Sequence, residues 1–139
     1  MKKIFTILFA LVASLQMFAS LPIYRDADQI IAMDDKVYMQ GKIPVVMMEI
    51  EPISRDAKIY WGSLMAGVKS IPAKVVVTYA FSPDWTEYTI AAVLFYDNKG
   101  YLIDKQESEG EVVWDKTSQN GRARDMANIA KKLPRQTLK

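Results

Sequence analysis

The chain contains no cysteine and no histidine among its 139 residues. Without cysteine it has no disulfide, no thiolate ligand for zinc and no cysteine nucleophile. Without histidine it lacks the side chain that most often serves as a general base and as a ligand of transition metals. These two absences exclude most of the mechanisms that hydrolases and metalloenzymes use.

The motifs of nucleotide binding and of serine nucleophiles are also missing. The sequence has no P-loop, no G-x-G-x-x-G and no G-x-S-x-G segment, and its six glycines stand singly. Calcium needs only oxygen ligands, but the spacing of Asp97, Asn98 and Asp104 fails that of an EF-hand, since Lys99 stands where an oxygen ligand is required. We therefore expect no cofactor and no metal.

Three glutamates leave one enzymatic alternative open. Glu107, Glu109 and Glu111 alternate along the chain, and a pair of carboxylates is enough for glycoside hydrolysis. A catalytic acid needs an apolar pocket that raises its pKa, which a glycine-containing acidic turn does not offer. A solvated loop is the preferred interpretation of these residues.

The first twenty residues have the layout of a secretory signal peptide. Lys2 and Lys3 form a basic region, residues 4–15 are almost entirely apolar, and the small residues Ala19 and Ser20 follow. This apolar run is shorter than the ~20 residues with which a helix spans a bilayer. We expect cleavage after Ala19 or Ser20 and a soluble exported protein with no stable membrane anchor; the alternative is a buried helix or an uncleaved anchor.

The lack of disulfides and of glycosylation sites indicates where the protein is exported to. Secreted domains often use disulfides, and eukaryotic ones often carry N-x-[ST] glycosylation sites. This chain has neither. It therefore fits a bacterial periplasm or cell exterior better than a eukaryotic secretory pathway.

The rest of the chain predicts a single domain over residues 21–133, followed by a short basic tail over residues 134–139. Half of all residues are hydrophobic, as in a packed globular domain. Alternation predicts a half-buried strand over residues 45–51, which pairs with residues 35–40 through Gly41.

A strand hairpin is the clearest prediction. Residues 74–82 form a strand with its core face on Val75, Val77, Tyr79 and Phe81, and residues 88–96 are apolar on both faces, as in a central strand. Residues 97–100 predict a type I turn closed by Gly100 at positive φ, after which residues 101–107 return as the partner strand. Residues 111–114 are expected to add a short edge strand.

Two helices are predicted from apolar residues at helical spacing. The first covers residues 54–70 with Ser54 as N-cap, and a bent pair of strands is its alternative. Its buried stripe would consist of Ala57, Tyr60, Trp61, Leu64, Met65 and Val68. The second covers residues 118–133 and ends before Pro134, with a stripe of Ala123, Met126, Ala127, Ala130 and Leu133.

This order of elements predicts an α+β fold. Strands precede helices without a regular alternation, which is typical of an antiparallel sheet of four to six strands with one or two helices on one face. A β-sandwich with a C-terminal helix is the alternative.

Two candidate binding sites follow. Trp85 lies in the turn after residue 82, where an exposed indole would stack on a sugar or anchor a partner protein; packing against the sheet edge is the alternative. A basic face of the last helix carries Arg122, Arg124, Lys131 and Lys132. Basic residues without interleaved aromatics do not indicate nucleic-acid binding, and export makes that function less suitable.

Charge is distributed unevenly along the chain. Residues 21–115 contain 9 basic and 15 acidic residues, whereas residues 116–139 contain 7 basic and 1 acidic. The basic end either folds onto its own acidic body or offers its helix to an acidic partner.

Together these features predict a small exported binding protein without catalytic activity, whose partner is a protein or an envelope glycan. An inhibitor or immunity-type protein that blocks an extracytoplasmic enzyme is one alternative. A carboxylate-dependent carbohydrate-active enzyme is the other.

Overall fold

A computed structural model describes residues 21–66, 70–107 and 112–137. Within these ranges the fold is α+β, as predicted. Its elements are β1 (Leu21–Arg25), β2 (Gln29–Met33), β3 (Val37–Gln40), β4 (Ile43–Pro52), helix α1 (Arg55–Ser63), β5 (Lys74–Phe81), β6 (Glu87–Tyr96), β7 (Leu102–Glu107), β8 (Asp115–Lys116), a 3-10 helix (Thr117–Gln119), helix α2 (Gly121–Ala130) and β9 (Arg135–Thr137).

All strands of the described ranges belong to one sheet. The α+β prediction has a single sheet, whereas the β-sandwich alternative needs two. The nine strands occupy six positions across the observed sheet, because three positions are each shared by two strands. Both β2 and β3 pair with β4. On their outer sides, β2 pairs with β1 and β3 pairs with β9. Both β7 and β8 pair with β6. The prediction of four to six strands is therefore too low. The additional strands are two to five residues long, too short for alternation to reveal them.

The central strands β4, β5 and β6 are buried on both faces. Alternate residues of β5 belong to two core clusters. The first cluster contains the predicted core residues Val75, Val77, Tyr79 and Phe81, and it also includes Val46, Met48, Ile50 and Phe95. The second cluster lies on the opposite face and contains Tyr38, Val45, Met47, Val76, Ala80, Ala91 and Leu94. Strand β4 is thus more deeply buried than the predicted half-buried strand.

The predicted hairpin turn is confirmed. Gly100 has a φ of 86°, and its N–H donates to the carbonyl of Asp97 at 3.1 Å. The Asp97 carboxylate accepts from the backbone N–H groups of Lys99 and Tyr101, both at 2.9 Å. This capping explains why an aspartate opens the turn.

Helix α2 is shorter than predicted, and its buried stripe is confirmed except for Leu133, which lies beyond the helix and is only partly buried. Ala123, Met126, Ala127 and Ala130 are buried in the first cluster. The helix begins after Asn120, whose side chain accepts from the N–H of Ala123 at 2.9 Å. Residues 117–119 form the 3-10 helix, so the α-helix starts later than residue 118.

The C-terminal residues correct two further predictions. Instead of a tail, Arg135–Thr137 form β9, which pairs in parallel with β3, and the N–H of Val37 donates to the carbonyl of Pro134 at 2.9 Å. Residues 112–114 are not a strand; Asp115–Lys116 pair with β6 instead, and Glu111 lies outside the described residues. No helix in the described part of the chain is long and apolar enough to cross a membrane.

Candidate binding surface

Helix α1 is fixed at its beginning by the turn that follows β4. The carbonyl of Asp28 accepts the N–H groups of Ile53 and Ser54, at 2.7 and 3.1 Å. The Ser54 hydroxyl then accepts the N–H of Ala57 at 3.1 Å, as the predicted N-cap requires. A helix is therefore confirmed here over the alternative of bent strands, although it ends at Ser63 rather than near residue 70.

One side of α1 and the residues after it contact the sheet. Trp61 and Met65 pack with the first cluster, and the ring N–H of Trp61 donates to the side-chain oxygen of Gln29 at 3.5 Å. The N–H of Ala66 donates to the Asp104 carboxylate of β7 at 2.9 Å. The helix and its C-terminal extension thus reach from the end of β4 to β7.

The other side of α1 exposes large apolar side chains. None of its nine residues is buried. Ile59 is 52% exposed, Tyr60 57% and Ile71 56%. Five of the ten exposed large hydrophobic residues of the described chain lie between positions 53 and 71. We call these five, Ile53, Ile59, Tyr60, Leu64 and Ile71, the apolar surface.

This exposure corrects the predicted buried stripe of the helix. Trp61 and Met65 contact the core as expected, but Ala57 is only partly buried, and Tyr60 and Leu64 are exposed. Val68, the last residue of that stripe, lies outside the described residues. Exposed apolar residues that cluster in this way mark interaction sites in soluble proteins.

An open groove of about 500 Å³ lies beside the apolar surface. It separates α1 from the segment that enters β5. Gly62 allows the two to approach, because a Cβ atom at this position would lie 3.0 Å from the carbonyl oxygen of Ser70. The groove is lined by Lys58, Ile59, Gly62, Ser63, Met65, Ser70 and Ile71.

The charge at the groove is positive. Among the described residues, Lys58 is the one charged residue that lines it. Arg55 lies three residues earlier and therefore on the same side of the helix. Both side chains are exposed, and the described residues contain no carboxylate in an ion pair with either.

Trp85 does not have the exposed position predicted for it. Its side chain is 9% exposed, and its ring centroid lies 5.0 Å from that of Phe81. The Asp84 carboxylate accepts hydrogen bonds from Thr86 and Ser82, which lower the pKa of Asp84 and hold the turn closed. The packing alternative is therefore the better description of Trp85, but its ring packs in the first cluster at the β5–β6 turn and not at an edge strand.

The four basic residues predicted as a binding face are not brought together. The Arg122 guanidinium lies over the ring of Tyr24, 5.9 Å from its centroid, and Arg124 lies 3.8 Å from the Asp125 carboxylate. Lys131 and Lys132 are exposed beyond the other end of the helix. A ten-residue helix separates its ends by about 14 Å, so the arginines and lysines form two separate groups.

The alternative of a carboxylate-dependent enzyme depends on three glutamates, two of which lie outside the described residues. Glu107 forms an ion pair with Lys105 at 3.6 Å, whereas Glu109 and Glu111 are not among the described residues. Among those that are, no group of three or more acidic side chains is placed to hold a metal ion.

A buried acidic residue escaped the sequence-based prediction. Asp34 is 6% exposed and accepts the hydroxyl of Tyr38 at 2.7 Å. Burial raises the pKa of Asp34, and burial together with the neighbouring Asp34 carboxylate raises the pKa of Tyr38. Asp34 lies in the turn between β2 and β3, and Tyr38 lies in β3.

No family model, curated protein or solved structure matches the chain. Its function must therefore be inferred from its own surface, since a fold alone does not determine function. Of the features described above, the apolar surface and its groove are the ones that resemble a binding site.

Proposed function

We propose that the chain is a small exported protein that acts by binding a protein partner outside the cytoplasm through the apolar surface of α1. The observation that carries this proposal is the exposure of Ile59 and Tyr60 on a helix that buries none of its residues, together with the exposure of Ile71 in the segment that enters β5. The signal-peptide layout of residues 1–20 supports export.

Energetics favours a partner over permanent exposure. Burying one large apolar side chain stabilises a protein or complex by about 1.5–3 kcal/mol. Leaving three such residues more than half exposed, two on α1 and one in the segment that enters β5, gives up that stabilisation in the isolated chain. A partner that covers them recovers it, which is the usual reason for a concentrated apolar patch.

The architecture allows a partner to bind without opening the core. We infer that both helices cover the same face of the sheet, because Met65 and the buried stripe of α2 belong to the first cluster. The apolar surface is then on the outside of that layer. A stable interface covers about 800 Å² on each protein, so the partner would cover the groove and the outer side of α1 together.

Retention of a partner by matched variants tests the proposal. The protein is expressed from the full sequence, purified from the extracytoplasmic fraction and immobilised, and extracytoplasmic proteins of the source organism are passed over it. Ile59→Asp and Ile71→Asp place a charge on the apolar surface. Val113→Asp is the matched control, because Val113 is 73% exposed and lies outside that surface.

We expect one protein to be retained in a one-to-one complex by the wild type and by V113D, and at least tenfold less by I59D and I71D. Circular dichroism and urea unfolding check that each variant is folded. The proposal fails if nothing is retained by the wild type or if the two aspartate variants retain the same protein equally well. A retained enzyme whose activity is blocked would make the protein an inhibitor.

A further inference from the structure

The groove beside α1 combines apolar walls with an unbalanced positive charge. We infer that the segment of the partner that enters it carries a carboxylate next to one or two large apolar side chains. This inference rests on the proposed function and specifies the chemistry of the partner.

The apolar part of the ligand is indicated by the walls and the buried end of the groove. Ile59 and Ile71 are both more than half exposed, while Met65 is nearly buried and joins the groove to the first cluster. Unbranched methionine adapts its shape to different apolar partners. A volume of about 500 Å³ lies within the range of clefts that bind small ligands and side chains.

The carboxylate is indicated by charge complementarity. Lys58 lines the groove and Arg55 lies on the same side of α1, and neither has an ion-pair partner among the described residues. None of the described residues that line the groove is acidic. Asp56 follows Arg55 in the helix, but the helical spacing of about 100° per residue places it on a different side from Lys58. An acidic segment is therefore attracted and a basic one repelled.

The second copy of this chain is a less suitable occupant. Its apolar surface would face an identical surface, so the cations of the two grooves would lie close to each other in a two-fold symmetric contact. A separate polypeptide with a carboxylate in the groove would cover the apolar residues and also balance the charge of the cations. Self-association is an outcome that the experiment distinguishes.

The probes are fluorescein-labelled twelve-residue peptides that share a central Leu-Phe pair. One set has Asp and Glu beside the pair, a second has Asn and Gln, and a third has Lys. Binding is measured by fluorescence anisotropy on the protein purified from the extracytoplasmic fraction, at low salt and at high salt. Lys58→Gln and Lys58→Glu test the cation. Lys42→Glu is the matched control, because exposed Lys42 lies in the β3–β4 turn at the opposite end of β4 from α1.

We expect the wild type and K42E to bind the acidic peptides roughly fivefold more tightly than the amide peptides at low salt, as one exposed ion pair allows. K58Q should lose this preference and K58E should reverse it, favouring the lysine peptides. High salt should remove the preference as well. Ile71→Asp should weaken the binding of acidic and amide peptides alike.

Equal binding of acidic and amide peptides by the wild type would overturn the inference, as would an unchanged preference in K58E. If the natural partner is still lost in I59D and I71D, the proposed function survives that result. Concentration-dependent dimerisation that I59D abolishes would also overturn the inference, because a second copy would then occupy the apolar surface.

Discussion

At the scale of single residues, Trp85 combines an unusual backbone conformation with close packing. Its φ of 67° is uncommon for a bulky residue and costs on the order of 1 kcal/mol. Contact with Phe81 and the hydrogen bonds of the Asp84 turn offset that cost. Trp85 is therefore a structural residue of the β5–β6 turn.

Substitution of Trp85 should consequently affect stability. Trp85→Ala removes a buried ring and should lower the free energy of unfolding by about 3 kcal/mol. Trp85→Gly removes the same ring but adopts positive φ without strain, so it should be about 1 kcal/mol more stable than W85A. Urea unfolding of both variants measures this difference. If W85A lost partner binding while its free energy of unfolding stayed unchanged, the structural role of Trp85 would be contradicted.

The buried pair of Asp34 and Tyr38 makes stability depend on pH. Because burial raises the pKa of Asp34 above its unfolded value near 4, its contribution to stability is greatest at low pH and is lost as pH rises through the folded pKa. The contribution of Asp84 to stability changes with pH in the opposite direction. Hydrogen bonds from Thr86 and Ser82 lower the pKa of Asp84, so its contribution is present above pH ~4 and is lost as pH falls.

Asp34→Asn should therefore gain stability relative to the wild type as pH rises from 4 to 7.5. The asparagine still accepts the hydroxyl of Tyr38, but it carries no charge that must be buried. Asp84→Asn is the control of opposite sign: its stability deficit relative to the wild type should be present at pH 4 and above and should shrink as pH falls below ~4. Free energies of urea unfolding at pH ~2.5, 4 and 7.5 measure the two trends. Parallel pH profiles of D34N and the wild type would contradict the assignment.

At the scale of elements, the two helices differ in how they are held. Both begin with a side-chain N-cap, Ser54 for α1 and Asn120 for α2. Helix α2 buries four residues in the first cluster, whereas α1 buries none. Helix α2 should therefore unfold only with the whole sheet, while α1 is able to open locally.

Removal of each cap should separate these two behaviours. Asn120→Ala should lower the global free energy of unfolding by about 1 kcal/mol. Ser54→Ala should change the global value less and instead accelerate hydrogen exchange of the amides of α1. Urea unfolding and native-state hydrogen exchange by mass spectrometry measure the two effects. Equal global losses would show that α1 unfolds together with the core.

Sequence patterns predicted an element well where the apolar residues that recur at its helical or strand period are also the residues that it buries. The stripe of α2 and the Val75–Phe81 side of β5 met this condition, because each packs on the first cluster. The same helical period was found for α1, but it could not reveal that Tyr60 faces outward. Spacing identifies an apolar side of a helix, not the surface that this side contacts.

The candidate site could not be predicted for a related reason. Ile59 and Ile71 are twelve positions apart in the sequence and become the walls of one groove only because Gly62 lets Ser70 approach α1. Trp85 shows the same limit: turn residues predicted the turn, but its positive φ and its packing depend on tertiary contacts. Local patterns carry no information about such contacts.

At the scale of the whole molecule, the basic C-terminal end folds back onto the rest of the chain. Helix α2 packs on the first cluster, Arg122 lies over Tyr24 of β1, and β9 extends the sheet beside β3. This end is thus joined to the rest of the chain mainly by packing and backbone pairing. Its exposed basic residues are Lys116, Arg124, Lys131, Lys132 and Arg135 in the described part of the chain.

Truncation tests whether the last strand belongs to the fold. Ending the chain after Leu133 removes β9 and the hydrogen bond from Val37 to Pro134. Because each backbone hydrogen bond contributes about 0.5–1.5 kcal/mol, the loss should be roughly 2 kcal/mol. Ending the chain after Thr137 keeps β9 and should leave the free energy of unfolding unchanged.

Hydrogen exchange locates the effect of that truncation. Because β9 pairs with Val37, Tyr38 and Met39, the amides of β3 should exchange faster when the chain ends after Leu133. Those of β5 and β6 should keep their protection, since these strands lie on the other side of β4. Equal stability and equal exchange in the two truncations would show that residues 134–137 are a tail, and that the sheet is complete at β3 without them.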